Sequence, residues 1–272
     1  MTQHVFILVV AFMSVSGLSF CFGQTNDEPA PGYLFSYFIN NGEDGLHLAV
    51  SSDGLRWTPL NGGRSVLKPE VGRDRLMRDP SITCGPDGTF HMVWTSSWTD
   101  RIIGHASSRD LIHWSEQQAI PVMMHEPEAR NSWAPEIFYD RATEKYWIVW
   151  STTITGRFAE ADRAESESDY DHRIYCTSTT DFKEFAPTKL FFDPGYSCID
   201  GFIARDAGAD SPYLLFFKDE RRFPEAKKFI LLAESDKVDG PYENPVRISP
   251  INWVEGPSVL KVGDVRYVYY DC

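Results

Sequence analysis

Asn252-Trp253-Val254-Glu255-Gly256-Pro257-Ser258-Val259-Leu260 sets a carboxylic acid between an aromatic and a Gly-Pro break, then runs straight into an apolar segment. Three earlier stretches have the same form: RDPSI at 78–82, WAPEIF at 133–138 and CIDGFI at 198–203. One acid heads each strand-like run. The acids are Asp79, Glu136, Asp200 and Glu255, at intervals of 57, 64 and 55 residues. A second signal keeps a similar rhythm. SSDGLRW at 51–57, SSRDLIHW at 107–114, STTDFKEF at 178–185 and ESDKVDGPY at 234–242 each place Ser or Thr and Asp before a closing aromatic.

Between the two signals the order is constant: acid-headed strand, turn, aromatic strand, loop, third strand, closing turn. PSIT leads through GPDGT to FHMVWTSS, PEIFYD through RATEK to YWIVWSTT, and GFIARD to YLLFFKDE. Short strands at even spacing with Gly, Pro and Asp turns predict an all-β chain, and a period near 55 residues predicts stacked four-stranded units. A β-propeller arranges such units around a channel. The segment at 33–57 (YLFSYFI, the NGEDG hairpin turn, LHLAV) supplies later strands of a unit with no first strand of its own. The last unit stops at Cys272, inside its second strand. The reading is a five-bladed propeller over 33–272 whose last blade is incomplete, its missing first strand coming from beyond residue 272.

A chain of 272 residues is long enough to bury a sizeable core, and 14% aromatic content fits a globular protein. A net charge of −13 argues against nucleic acid and anionic membrane surfaces as partners, because both need a basic face. A neutral substrate is indifferent to it. Residues 5–20 form an apolar stretch shorter than a membrane span, and Cys21 with Gly23 gives a small-x-small pattern. This predicts a secretory signal at 1–23 cleaved after Gly23, a polar linker at 24–32, and a secreted or periplasmic product. The start MTQHV lacks Lys and Arg, and an uncleaved anchor is the alternative. Cys84, Cys176, Cys198 and Cys272 show no zinc-binding spacing and read as core residues, with one bridge left open.

In a propeller the first strand of each blade lines the channel, so acids at blade heads converge on one mouth. Glycoside hydrolysis needs such convergence: one carboxyl to protonate the leaving oxygen and one carboxylate opposite. At these residues the chain resembles the family-43 glycoside hydrolases. Asp-Pro-Ser-Ile at 79–82, Trp-Ala-Pro-Glu at 133–136, Ile-Asp-Gly-Phe at 199–202 and Glu-Gly-Pro at 255–257 are similar to that family's motif series. The resemblance implies a five-bladed propeller and an inverting hydrolase of arabinosyl or xylosyl linkages. It implies Asp79 as general base, Asp200 as the acid that tunes and orients, and Glu255 as general acid. Where the family more often has Asp, this chain has Glu136, read as a residue of the pocket. The resemblance requires no cofactor, and a central structural cation is allowed by it but not derivable from this chain; no metal ligand is assigned.

Trp98, in the loop SSWTDR, reads as a sugar platform, since aromatic faces suit the apolar faces of sugars. Trp133 and Trp253, beside motif acids, read as further substrate-binding residues. Lys218, Asp219 and Glu220 begin the corresponding loop of the next blade. The charged insertion at 158–172 reads as a solvated loop. The partner is a carbohydrate. Arg78-Asp79-Pro80 also resembles retaining fructan-cleaving propellers, which carry an earlier Asn-Asp-Pro that is not found between Gln24 and Arg78. A carbohydrate-binding propeller without catalysis is the other alternative.

Overall fold

The computed structural model describes residues 5–11, 32–158, 168–208 and 210–272. The cleavage position after Gly23, nearly all of the linker and most of the charged insertion lie outside the described residues. Strands β1 (Val5–Ala11), β2 (Tyr33–Ile39), β3 (His47–Ser51) and β4 (Thr58–Pro59) form the first sheet. β5 (Arg78–Cys84), β6 (Phe90–Thr95), β7 (Ile103–Ser108) and β8 (Gln118–Ile120) form the second. The third holds β9 (Trp133–Asp140), β10 (Lys145–Thr153), β11 (His172–Thr179) and β12 (Lys189–Phe192). The fourth holds β13 (Cys198–Arg205), β14 (Tyr213–Asp219), β15 (Phe229–Ser235) and β16 (Glu243–Arg247). β17 (Glu255–Val262) and β18 (Val265–Asp271) pair as a two-stranded sheet. The architecture is all-β and propeller-like.

The strand sequences explain the layering. Second strands such as KYWIVWSTT and YLLFFKD are apolar on both faces, and all but the first residue of β10 and every residue of β14 are buried, because each sheet is covered by a neighbour on either side. Outer strands are polar, and β16 is exposed throughout. One core joins the second sheet to the third through Val93, Ile103, Ile148 and Trp150, and another joins the third to the fourth through Val149, Ile174, Leu215 and Phe217. Leu48, Met92 and Trp94 join the first sheet to the second, and Phe202, Phe216 and Val259 the fourth to the fifth. Tyr33, Phe35 and Leu260 bring the fifth sheet back against the first, so the cores run in a closed circle. First strands β5, β9, β13 and β17 contact each other in turn, and β1 contacts both β17 and β5.

The closing turns are a repeated side-chain cap. Ser51 Oγ accepts from the N–H of Asp53 and Gly54, while Asp53 Oδ1 accepts from Leu55 and Arg56. Ser108 with Asp110 and Thr179 with Asp181 repeat the pattern. Short polar side chains that bond the backbone two and three residues on are what makes these positions Ser, Thr and Asp.

Two expectations are corrected. The strand beside β2 is Val5–Ala11, drawn from the stretch read as a secretory leader, and not a segment following residue 272. Its sequence, VFILVVA, is a β-forming run, and the edge of β2 offers it a full ladder from Val5↔Ile39 to Ala11↔Tyr33. The end of the charged insertion is not solvated: Asp171 is buried against Arg173, and His172 already belongs to β11. All four cysteines at positions 84, 176, 198 and 272 are free.

Candidate active site

Four channel-side strands, β5, β9, β13 and β17, begin with the same irregularity, which β1 lacks. Arg78 pairs Thr95 and Ser81 pairs Val93, so three steps on β5 oppose two on β6. Trp133–Ser151 with Glu136–Val149, Ile199–Lys218 with Phe202–Phe216, and Glu255–Asp271 with Ser258–Tyr269 repeat this in the other three sheets. One extra residue in the first strand is a β-bulge, a device that bends a strand and re-aims a side chain. The bulge contains a left-handed residue: Asp79 (φ 50°), Ala134 (φ 45°), Asp200 (φ 58°) and Gly256 (φ 59°). Positive φ is uncommon outside glycine, and Asp tolerates it better than most residues.

Aligning the bulges corrects the idea of equivalent acids. Asp79 and Asp200 occupy the left-handed position itself. Glu255 stands one residue earlier, matching Arg78, Trp133 and Ile199. Glu136 stands two residues later, matching Ser81, Phe202 and Ser258. Four similar motifs therefore present acids from three different geometric positions.

All four acids line one cavity of about 250 Å³, with Phe38, Arg78, Thr95, Trp98, Trp133, Glu220 and Asp271 among its other walls. Thr95 Oγ1 donates to Asp79 Oδ2 at 2.9 Å and accepts from the Ala134 N–H at 2.8 Å. Asp200 Oδ2 accepts from the Gly256 N–H at 3.0 Å, and the Asp200 N–H donates to Ser151 Oγ at 3.2 Å. Lys218 Nζ donates to Glu255 Oε2 at 2.7 Å and lies 2.8 Å from Glu220. Lys228 bridges Glu220 as well. The Glu255 side chain is 40% exposed and so open to a ligand, whereas that of Lys218 is 5% exposed.

Burial pushes Asp200 up to about 7, with Lys218 opposing and Glu255 adding to the rise. Burial also raises Asp79, against Arg78 and the Thr95 hydroxyl, with Glu255 again adding. Burial carries Glu136 well above the glutamate range, opposed by Ser81. Burial acts the same way on Glu255, but the Lys218 ammonium, with Lys228 and Arg78 behind it, outweighs it and leaves the carboxyl below its usual range. Near neutrality an ionised Glu255 therefore stands beside an Asp200 that is still partly protonated. Both forms needed for glycoside hydrolysis are present, yet the residue expected as donor is the ionised one.

A family described as "Probable glycosyl hydrolase domain", related to glycoside hydrolase family 43, matches residues 28–272. The chain belongs to it. A curated α-L-arabinofuranosidase of Bifidobacterium longum is 22% identical over 221 residues, covering 73% of this chain and 20% of that protein. The structure of an exo-β-1,3-galactanase from Phanerochaete chrysosporium, 12% identical, covers 97% of this chain and 60% of its own with a TM-score of 0.63. An exo-1,5-α-L-arabinanase from a bovine ruminal metagenomic library, 16% identical, covers 90% and 84% with a TM-score of 0.62. The chain thus spans a fifth of the curated relative's length, and the structural likeness is one of fold.

The tryptophans divide. Trp98 and Trp133 line the cavity, edge to face at 5.6 Å, with Trp133 Nε1 donating to the Trp98 carbonyl at 2.9 Å. The Arg78 guanidinium lies 4.4 Å over the Trp98 ring, and Tyr170 and His172 pack on Trp133 at 4.9 and 5.0 Å. Trp133 is thus as much a wedge as a wall. Trp253 is not brought to the cavity: it is exposed, left-handed at φ 65°, with Arg222 over its ring. Asp219 pairs with Arg221 and is also absent from the walls. Among the described residues no group of three or more His, Cys, Asp or Glu is arranged to hold a metal.

Thr95, Ser151 and Asp271 escape a reading that follows only the acids heading the first strands. A signal for them exists: the second strands of four sheets carry, at or near their ends, an aromatic followed by a polar residue, at Trp94-Thr95, Trp150-Ser151, Phe217-Lys218 and Tyr270-Asp271.

Proposed function

We propose that this chain is an inverting glycoside hydrolase cleaving arabinosyl or xylosyl linkages in plant-type glycans. The observation that carries the reading is the meeting of Asp79, Asp200 and Glu255, from the bulges of three sheets, in one cavity. Asp79, oriented by Thr95, takes a proton from the attacking water; Glu255 donates one to the departing glycosidic oxygen as the C1–O bond breaks; water adds across that bond. Asp200 orients the Glu255 segment through the Gly256 N–H and holds a proton beside it. Relatives named as an arabinofuranosidase and an arabinanase favour a pentose, and the galactanase keeps galactose as the competitor. The accompanying fold is a five-bladed propeller whose fifth sheet contains β17 and β18, in a secreted or periplasmic protein.

One observation favours a second reading, a carbohydrate-binding propeller without turnover: a salt-bridged Glu255 is a poor donor. The two separate in an assay of aryl pentosides, galactosides and polysaccharides, with product anomers followed by NMR. The hydrolase reading expects inverted product and a loss of about 10²–10⁴-fold in turnover of unactivated glycans for Glu255→Gln, with binding retained. Retained configuration, or full activity in that variant, removes it.

A further inference from the structure

Lys218 is the exception in a repeated device. Near the end of the second strand, opposite the start of the bulge, stand Thr95, Ser151 and Lys218 in three successive sheets. Thr95 Oγ1 accepts from the Ala134 N–H and Ser151 Oγ from the Asp200 N–H. In both cases a hydroxyl grips the backbone of the next sheet's left-handed residue. The equivalent N–H in the last step, at Gly256, goes instead to Asp200 Oδ2. An ammonium has donors and no acceptor, so Lys218 cannot take that N–H, and it donates instead to Glu255 at 2.7 Å. Lysine is rarely buried without partners, and Lys218 is 4% exposed. Its second partner, Glu220, is a cavity wall already 2.8 Å away and is also bridged by Lys228. The other charged or titratable groups around the pair are Asp200, Asp79 and Arg78 from the bulges, Asp271 from β18 and His172 from β11.

We propose that Lys218 is a positioning residue that fixes the Glu255 carboxylate and withholds it from proton donation until sugar occupies the cavity, when Glu220 takes over the ammonium. This rests on the hydrolase reading above. Once released, Glu255 takes up a proton from solvent, or from an Asp200 that solvent then reprotonates, and passes it to the leaving oxygen. Asp79 holds the proton of the attacking water and returns it to solvent, so each cycle consumes only one water.

The test is a carboxyl-¹³C NMR titration of glutamate-labelled protein, with Glu255 assigned by its loss in Glu255→Gln. It is run on the wild type, Lys218→Met, Lys218→Arg and Glu220→Gln alongside pH profiles of kcat/KM. Loss of an adjacent cation raises a carboxyl by about 1–3 pH units, so the Glu255 titration in Lys218→Met is expected to move up by about one unit or more. The alkaline limb of the profile should follow it to higher pH, and Lys218→Arg should bring both back. In Glu220→Gln, with no second seat for the ammonium, kcat should fall more than KM changes. A Glu255 titration unmoved in folded Lys218→Met overturns the proposal. Should Lys218→Met not fold, a wild-type kcat in Glu220→Gln overturns it instead. A moved titration with no hydrolysis of any glycan removes the donor role together with the hydrolase reading and leaves only the ion-pair clamp; hydrolysis with an unmoved titration removes the Lys218 proposal alone.

Discussion

Thr95 shows how one hydroxyl serves two sheets. It donates to the Asp79 carboxylate and accepts from Ala134, so its removal strands a half-buried N–H as well as an acid. Thr95→Val is expected to cost about 1–3 kcal/mol, read from denaturant midpoints. It also removes a bond to the ionised form of Asp79, so that acid should rise further. If Asp79 is the base, activity is lost as pH falls through its pKa, and the acidic limb of kcat/KM should move to higher pH. Thr95→Ser should restore both. An acidic limb that stays in place in Thr95→Val would separate Asp79 from the water-activating role.

At the scale of the element, the second strand is the best-determined piece of each sheet, and its packing leaves no slack. Gly104 on β7 lies opposite Trp94 on β6, and a Cβ there would stand 2.0 Å from the indole. Trp94 is fully buried between the first two sheets and has no room to retreat. Gly104→Ala should therefore destabilise by overpacking, on the order of 1–3 kcal/mol, with a lower Tm. Ligand affinity of the molecules that remain folded should fall as well, because Trp94 stands opposite the bulge between Arg78 and Ser81 and next to Thr95, which holds Asp79. A Tm equal to wild type would mean that the indole moves freely. Strand periodicity and closing turns were legible in SSRDLIHW and its relatives, where Ser and Asp must cap a turn whatever surrounds them. The bulges were not legible, because Asp-Pro, Ala-Pro, Asp-Gly and Gly-Pro share no residue that demands an extra position in the ladder.

For the whole molecule, buried titratable groups pull stability in opposite directions with pH. Burial depresses His91 to about 4 and His105 and His172 to about 3. A histidine lowered in the fold gives stability that is complete above its unfolded value near 6.5 and lost as pH falls towards 3–4. Asp200, raised to about 7, acts the other way: its contribution is complete below the unfolded value near 4 and is lost as pH rises through 7. Three such histidines outnumber the one acid, so these four groups together should still raise the wild type's stability between pH 4 and 6.5, less steeply than the histidines alone would. Asp200→Asn removes the opposing acid, so its urea midpoint should rise steeply over that interval and exceed the wild type's at pH 8. Parallel curves for the two proteins would mean that Asp200 is not protonated in the fold.

Sequence alone determined the all-β class, the recurring unit and the four acids, because strand alternation, capping Ser-Asp pairs and Pro or Gly breaks are local chemistry. It also linked the acids to glycoside hydrolysis, through motifs that keep their order. Which strand completes the first sheet, which tryptophans face the cavity and which carboxyl keeps a proton were decided only in three dimensions. A strand's partner, the direction of Trp253 and the 2.7 Å approach of Lys218 to Glu255 depend on residues far apart in the chain, and their electrostatics exist only once the sheets have closed around them.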